Sequence, residues 1–242
     1  MMKRRIRKAA FFMTAVVWIT SMPVCPIDVQ AEENAVVIRT EEELLEFGRA
    51  CTSESFSAGK TVRLEADLDL SGQPFYPIPV FNGTFEGNGH TISGLSIGQT
   101  GSNLGLFRYL EEAAVVENLT VQGVLKPEGS RMKIGGIAGT NKGTIRNCTF
   151  LGRGEALENL GGIAGFNEET GVIEGCRNQA ELTGNRRVGG IAGENAGTIQ
   201  DSYNEGEINT TSEGIDEDSK EKNNISLDRQ SIDTTVVVEK VN

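Results

Sequence analysis

Ile134-Gly-Gly-Ile-Ala-Gly-Thr140, Leu160-Gly-Gly-Ile-Ala-Gly-Phe166 and Val188-Gly-Gly-Ile-Ala-Gly-Glu194 are three copies of one heptapeptide, restarting after 26 and then 28 residues. Each is followed by an asparagine (Asn141, Asn167, Asn195), a glycine (Gly143, Gly171, Gly197) and a β-branched pair (Thr144-Ile145, Val172-Ile173, Thr198-Ile199). A period of this size signals stacked repeats and outranks any local propensity. Helical repeats need amphipathic runs of ten or more residues with few glycines. Here the apolar runs are short, β-branched and bounded by Gly and Asn, which is strand and turn chemistry.

Working outward, Ile92-Ser-Gly-Leu-Ser-Ile97 and Val116-Glu-Asn-Leu-Thr-Val121 align with Ile145-Arg-Asn-Cys-Thr-Phe150. The first column then reads Ile92, Val116, Ile145, Ile173, Ile199, and a second, three residues on, reads Leu95, Leu119, Cys148, Cys176, Ser202. Strands recurring at a fixed period, each pairing with its counterparts one turn before and after, form a parallel β-helix. The expected fold is therefore all-β: a right-handed parallel β-helix of about five coils. At ~4.8 Å per coil the rod would be roughly 24 Å long. Glycine is expected to supply positive φ at the corners, and the repeat asparagines to adopt the left-handed region or bond their own turns. Cys148 and Cys176, one coil apart, would have Cα atoms ~4.8 Å apart, within disulfide range, or would serve as small apolar residues.

The rod spans residues 61–206, with repeats at 134–159, 160–187 and 188–206. Residues 32–60 read as an N-terminal cap. Thr40-Glu-Glu-Glu43 is a capping box opening a helix over about 41–52, with Leu44, Phe47 and Cys51 on one face. Val62 to Leu70 alternates as one continuous strand, and Pro74, Pro77 and Pro79 then mark an edge or loop. Residues 207–242 are expected to be a charged, acidic, largely disordered tail, with Thr234–Val238 as an edge-strand candidate.

The first 31 residues read as an address. Met1–Lys8 holds five basic residues, Ala9–Ile19 is apolar, and Val29 and Ala31 are small enough for cleavage after Ala31. The apolar run is too short to span a bilayer, which takes ~20 residues. A lipoprotein reading through Cys25 is weaker because Val24 is bulky. The expected destination is secretion or the cell surface of a bacterium, with no stable transmembrane segment after cleavage. The whole chain of 242 residues carries a net charge of −11, and removal of residues 1–31 makes it −15. That balance excludes nucleic acid or an anionic membrane as electrostatic partners. A single histidine, His90, excludes any mechanism or metal site that needs two.

At these residues the chain resembles the GLUG-motif family of secreted and surface proteins, over roughly residues 36–206. The three Gly-Gly-Ile-Ala-Gly-x-Asn segments match its repeat, and Phe81-Asn-Gly-Thr-Phe-Glu-Gly-Asn-Gly-His-Thr-Ile-Ser-Gly-Leu95 looks like its usual lead-in. Such repeats also precede the catalytic part of immunoglobulin-A-cleaving zinc peptidases and occur in surface proteins with adhesive roles. The resemblance thus implies a β-helix with a surface or adhesive role, and the extended flanks of a solenoid suit a host protein or glycan as partner. Zinc-peptidase activity does not follow, because no His-Glu-x-x-His is present.

For chemistry, Glu65, Asp67 and Asp69 alternate along one strand, with Arg63 nearby. Acids on a β-helix face could bind a cation and a polyuronate, whereas the plainer reading is a solvated acidic face. His90 sits in the Gly87-Asn-Gly-His turn and is expected to pack there. No catalytic residue, cofactor or metal is assigned. The leading expectation is a non-enzymatic exported solenoid serving adhesion, interaction or spacing. The alternatives are a polysaccharide-active lyase or hydrolase, or the N-terminal fragment of a larger surface protein.

Overall fold

Short β-branched runs punctuated by residues that accept a left-handed backbone build short strands joined by sharp corners. The computed structural model, which describes residues 35–129 and 131–211, has that architecture. Three parallel sheets form the faces of a β-solenoid of about six turns, one more than the repeat count suggested. The expectations for the leader and for the chain beyond Thr211 lie outside the described residues.

The first face comprises Ala35–Ile38, Thr61–Leu64, Thr84–Glu86, Val115–Glu117, Thr144–Arg146, Val172–Glu174 and Thr198–Gln200. The second holds Leu68–Asp69, Thr91–Ile97, Thr120–Leu125, Thr149–Gly161, Arg177–Asn178 and Tyr203–Asn204. It is extended by Met132–Gly135, Glu181–Gly189 and Ile208–Thr210. The third holds Ile78–Phe81, Phe107–Leu110, Ala138–Asn141, Ala164–Asn167 and Ala192–Asn195. Ile208–Thr210 pairs with Leu182–Gly184, so regular structure continues past the expected boundary at 206.

Val116, Ile145, Ile173 and Ile199 are register partners on the first face, all buried. Ile92 does not share their ladder. The partner of Val116 one coil earlier is Phe85, whereas Ile92 pairs with Leu68 and Val121 on the second face. The cause is the corner: Phe85 and Ile92 are separated by two more residues than Val116 and Val121. The turn Gly87–His90, closed by His90 N–H to the Gly87 carbonyl at 2.8 Å, takes up the difference. Leu95 is displaced with it: it is buried opposite Gly123 rather than stacked on Leu119. Leu119, Cys148, Cys176 and Ser202 follow one another at one corner, linked by backbone hydrogen bonds such as Thr149 N–H to Leu119 O and Arg177 N–H to Cys148 O, both 2.9 Å.

Positive φ falls elsewhere than expected. One corner is turned by Asn118, Asn147, Gly175 and Asp201 at φ of 49–61°, another by Asn103, Lys133, Asn159 and Arg187 at 52–59°. The repeat asparagines Asn141, Asn167 and Asn195 end strands of the third face instead. The Gly-Gly-Ile-Ala-Gly glycines are needed for space, not for φ. A Cβ on Gly139, Gly165 or Gly193 would overlap the backbone of Asn103, Lys133 or Asn159, because those corners fold back over the third face.

The helix runs from Glu41 to Ala50, two residues short of the expected end, with the Thr40/Glu43 capping box formed in both directions. Leu44, Phe47 and Cys51 are buried against the first coils. Glu41 accepts the Asp69 N–H at 3.1 Å and the Cys51 carbonyl accepts the Val80 N–H at 3.3 Å, so the cap satisfies the leading edges of two faces.

Candidate functional site

Val62–Leu70 does not form one strand. Glu65–Asp67 turns the corner between Thr61–Leu64 on the first face and Leu68–Asp69 on the second, which places Arg63 and Asp69 on different faces. All three acids are exposed and each has its own partner. Glu65 pairs with Arg39. Asp67 accepts the Thr91 N–H at 2.8 Å and faces His90 Nδ1 at 3.1 Å. Asp69 accepts the Ser71 N–H at 2.9 Å. The Thr91 amide and then His90 hold the Asp67 carboxyl below its ordinary pKa. For Asp69 the Ser71 hydroxyl and amide do the same. The three acids are tied separately to local donors, and no group of three His, Cys, Asp or Glu side chains among the described residues could hold a metal. His90 has the turn role read from its sequence, with Asp67 as a partner that the sequence did not reveal.

Cys51, Cys148 and Cys176 are buried free thiols. Cys148 Sγ lies 3.3 Å from the Arg146 carbonyl and Cys176 Sγ 3.4 Å from that of Glu174, so both stack as small side chains within the wall. Burial, and then the neighbouring Cys176, pushes the Cys148 thiol well above its usual pKa, and burial pushes Cys51 up to about 12. Held protonated in this way, Cys51 and Cys148 are poor nucleophiles.

The repeat asparagines build a polar ladder inside the rod. Asn141 Nδ2 donates to Asn167 Oδ1 at 2.8 Å, and Asn167 Nδ2 to Asn195 Oδ1 at 2.7 Å. Each also donates to its own turn glycine: Asn141 to the Gly143 carbonyl, Asn167 to Gly171 and Asn195 to Gly197. A second ladder, missed in the sequence, links Asn178 to Asn204 at 2.6 Å. Its signal was present in Arg177-Asn178-Gln-Ala and Tyr203-Asn204-Glu-Gly, which share an Asn two residues before a small residue.

The outward side of the second face carries a shallow trench of about 570 Å³. Its floor follows Leu95, Gly123 and Gly152, register partners in three successive coils. The Leu95 side chain is buried, after a register irregularity between Ile92 and Leu95 with Gly94 at φ 68°, and Gly123 and Gly152 carry no side chain, so none stands on this strip. Asp69, Ser71, Ser93 and Gln122 lie to one side of it, and Ser96, Val124 and Arg153 to the other. Ser96, Val124 and Arg153 form one exposed row. Lys126, Lys142, Arg146, Arg186 and Arg187 each pair with a carboxylate, but Arg153 pairs with none among the described residues.

No family model matches the chain. Over 142 residues, 52% of this chain, it is 35% identical to Halomucin of Haloquadratum walsbyi, and over 100 residues, 39% of the chain, it is 34% identical to a "Putative Gly-rich membrane protein" of Evansella cellulosilytica. These matches span 2% and 12% of the relatives' own lengths. A crystal structure titled as a "putative immunoglobulin A1 protease" from Bacteroides ovatus superposes with a TM-score of 0.43 at 16% identity, covering 76% of this chain and 80% of the other. No helix among the described residues is long and apolar enough to cross a membrane.

Proposed function

We propose that the chain is an exported β-solenoid that acts at the cell surface or outside the cell as a non-enzymatic interaction or spacer module. The observation that carries this reading is the use of the described chain. From Ala35 to Thr211 nearly every segment is a rung, a corner or the N-terminal cap, and the acids singled out for chemistry are bound one by one to structural partners. A rod of stacked coils offers flat, repeated outer rows on several faces, a geometry suited to holding things apart or presenting a long binding surface. The basic-then-apolar leader supports export. So does likeness over about half the chain to Halomucin and over a shorter stretch to a protein named as a Gly-rich membrane protein. Because the match is a small part of each, what carries over is the repeat, not the whole protein's role.

Expression in a bacterial host with residues 1–31 in place tests this reading. The product is expected in the medium or accessible to protease on intact cells, with Glu32 as its N-terminus. Cytoplasmic retention with Met1 or Met2 still attached would overturn export. Release of reducing ends from acidic or neutral polysaccharides, lost in Asp67→Ala, would overturn the non-enzymatic assignment and favour the polysaccharide-active reading.

A further inference from the structure

We propose that the trench on the second face binds a linear, neutral glycan in extended form, one sugar per coil; this rests on the reading of the chain as an exported interaction module and names its ligand class. Four features of the trench lead there. It runs across the strands, from Asp69 and Ser71 past Ser93–Ser96 and Gln122–Val124 to Gly152–Arg153. That path crosses three strand-to-strand steps of ~4.8 Å, roughly 14 Å in all. The step is comparable with the rise per sugar of an extended pyranose chain, so polar groups recurring at the coil period meet hydroxyls recurring at the sugar period.

The floor backbone is already consumed by the ladder: Leu95, Gly123 and Gly152 pair with one another across the coils. An extended peptide would find no free strand edge to join, so a ligand here must be read by side chains. The side chains provided are the Ser96 hydroxyl, the Gln122 amide and the Arg153 guanidinium, all exposed. Together they offer donors and acceptors suited to sugar hydroxyls, with Val124, 43% exposed, as an apolar contact.

Charge sets the class. Asp69 stands at one end, and Glu181 is the register partner of Arg153 at the other. The whole chain carries −11. Arg153 is the one cation in the lining and stands beside Glu181, so a polyanion would gain a single favourable contact against carboxylates at both ends, whereas a neutral glycan uses the same side chains as hydrogen-bonding groups without that repulsion.

Calorimetric titration of the protein with cellohexaose, xylohexaose and chitohexaose, and with hexagalacturonate as the acidic comparison, tests the assignment. Saturable binding to at least one neutral hexasaccharide is expected. Gln122→Ala and Arg153→Ala should each weaken it about tenfold, the equivalent of roughly one hydrogen-bonding group. Thr198→Ala on the first face should leave it unchanged. Because Gln122 and Arg153 are exposed, both variants should keep the wild-type melting temperature, which separates lost binding from lost folding. No saturable binding to any neutral hexasaccharide overturns the proposal. So does binding that is indifferent to the Gln122/Arg153 double variant, or a preference for hexagalacturonate. An exported chain that ignores every glycan sinks this inference alone, whereas a chain retained in the cytoplasm sinks the reading beneath it.

Discussion

Between Ile38 and Leu110 the core of the rod holds a cluster of rings, and between Ile134 and Thr210 the aliphatic core is joined by small residues and buried amides. Phe47, Phe81, Phe85 and Phe107 form a connected cluster with centroids 5.2–6.3 Å apart. Followed along the axis, single columns change chemistry. On the third face Phe81, Leu110, Asn141, Asn167 and Asn195 are successive register partners. On the second, Leu68, Ile92, Val121 and Phe150 give way to Asn178 and Asn204. Apolar side chains fill a corner from any direction, so successive coils there can differ in length and in residue. A buried amide must bond its turn glycine and the rungs on either side, which fixes spacing and composition together. The early coils therefore hold by volume, and the later ones add directed contacts to an aliphatic core.

The largest expected effect falls on the ring cluster. Phe107→Ala removes a ring that contacts Phe81 and Phe85 and is fully buried, at a cost of about 3–5 kcal/mol. Phe107→Leu should cost well under half as much, because volume rather than geometry is at stake there. Chemical denaturation of both variants checks this. Equal losses would mean that the early coils are as geometrically specified as the late ones, and the contrast between the regions would fail.

A methyl group in the wrong place is the corresponding injury to the repeats. In Gly162→Ala the new Cβ would overlap the Asn178 side chain and the Gly190 carbonyl of the next coil. Overpacking of this kind costs about 1–3 kcal/mol, and more where backbone must move. Gly98→Ala, whose Cβ meets nothing within 4 Å, is the control and should stay within about 0.5 kcal/mol of wild type. Thermal melts that shift alike for both would show that the repeat glycines are not spacers.

The same contrast explains what could be read from the sequence. Gly139, Gly165 and Gly193 admit no other residue, and Asn141 and Asn167 admit few, so the repeat survives as visible identity and gives the solenoid away. Upstream, Phe85 occupies the position held by Val116 and Ile145, and nothing about a phenylalanine announces that it replaces a valine. With Asn88 and Gly89 adding to the corner, Ile92 could be aligned with Val116 on hydrophobicity alone. The acidic corner at Glu65–Asp67 was hidden for a related reason: period-two alternation looks the same whether a strand continues or bends onto the next face. The Asn178 ladder lay in only two copies of a short motif. The trench could not be read at all, because it depends on a register position that is buried in one coil, at Leu95, and glycine in the next two.

The smallest effect separates the middle of an amide ladder from its end. Asn167 is fully buried, accepts from Asn141, and donates to Gly171 and Asn195. Asn167→Ala would strand the acceptor of Asn195 and the donor of Asn141, costing about 1–3 kcal/mol for buried groups left unpaired. Asn195 is half-buried at the last rung described, and among the described residues its Nδ2 donates to the Gly197 carbonyl alone. Water can replace what Asn195→Ala removes from Asn167, so that variant should lose about 1 kcal/mol or less. Hydrogen exchange sharpens the difference. Asn167→Ala should raise exchange in Ala138–Asn141 and Ala192–Asn195 together, on both sides of the vacancy, while Asn195→Ala should raise it only in the final coil. If the end variant loosened Ala138–Asn141 as well, cooperativity along the ladder rather than local pairing would set the stability of these coils, and the region would behave as one rod instead of a stack of directed contacts.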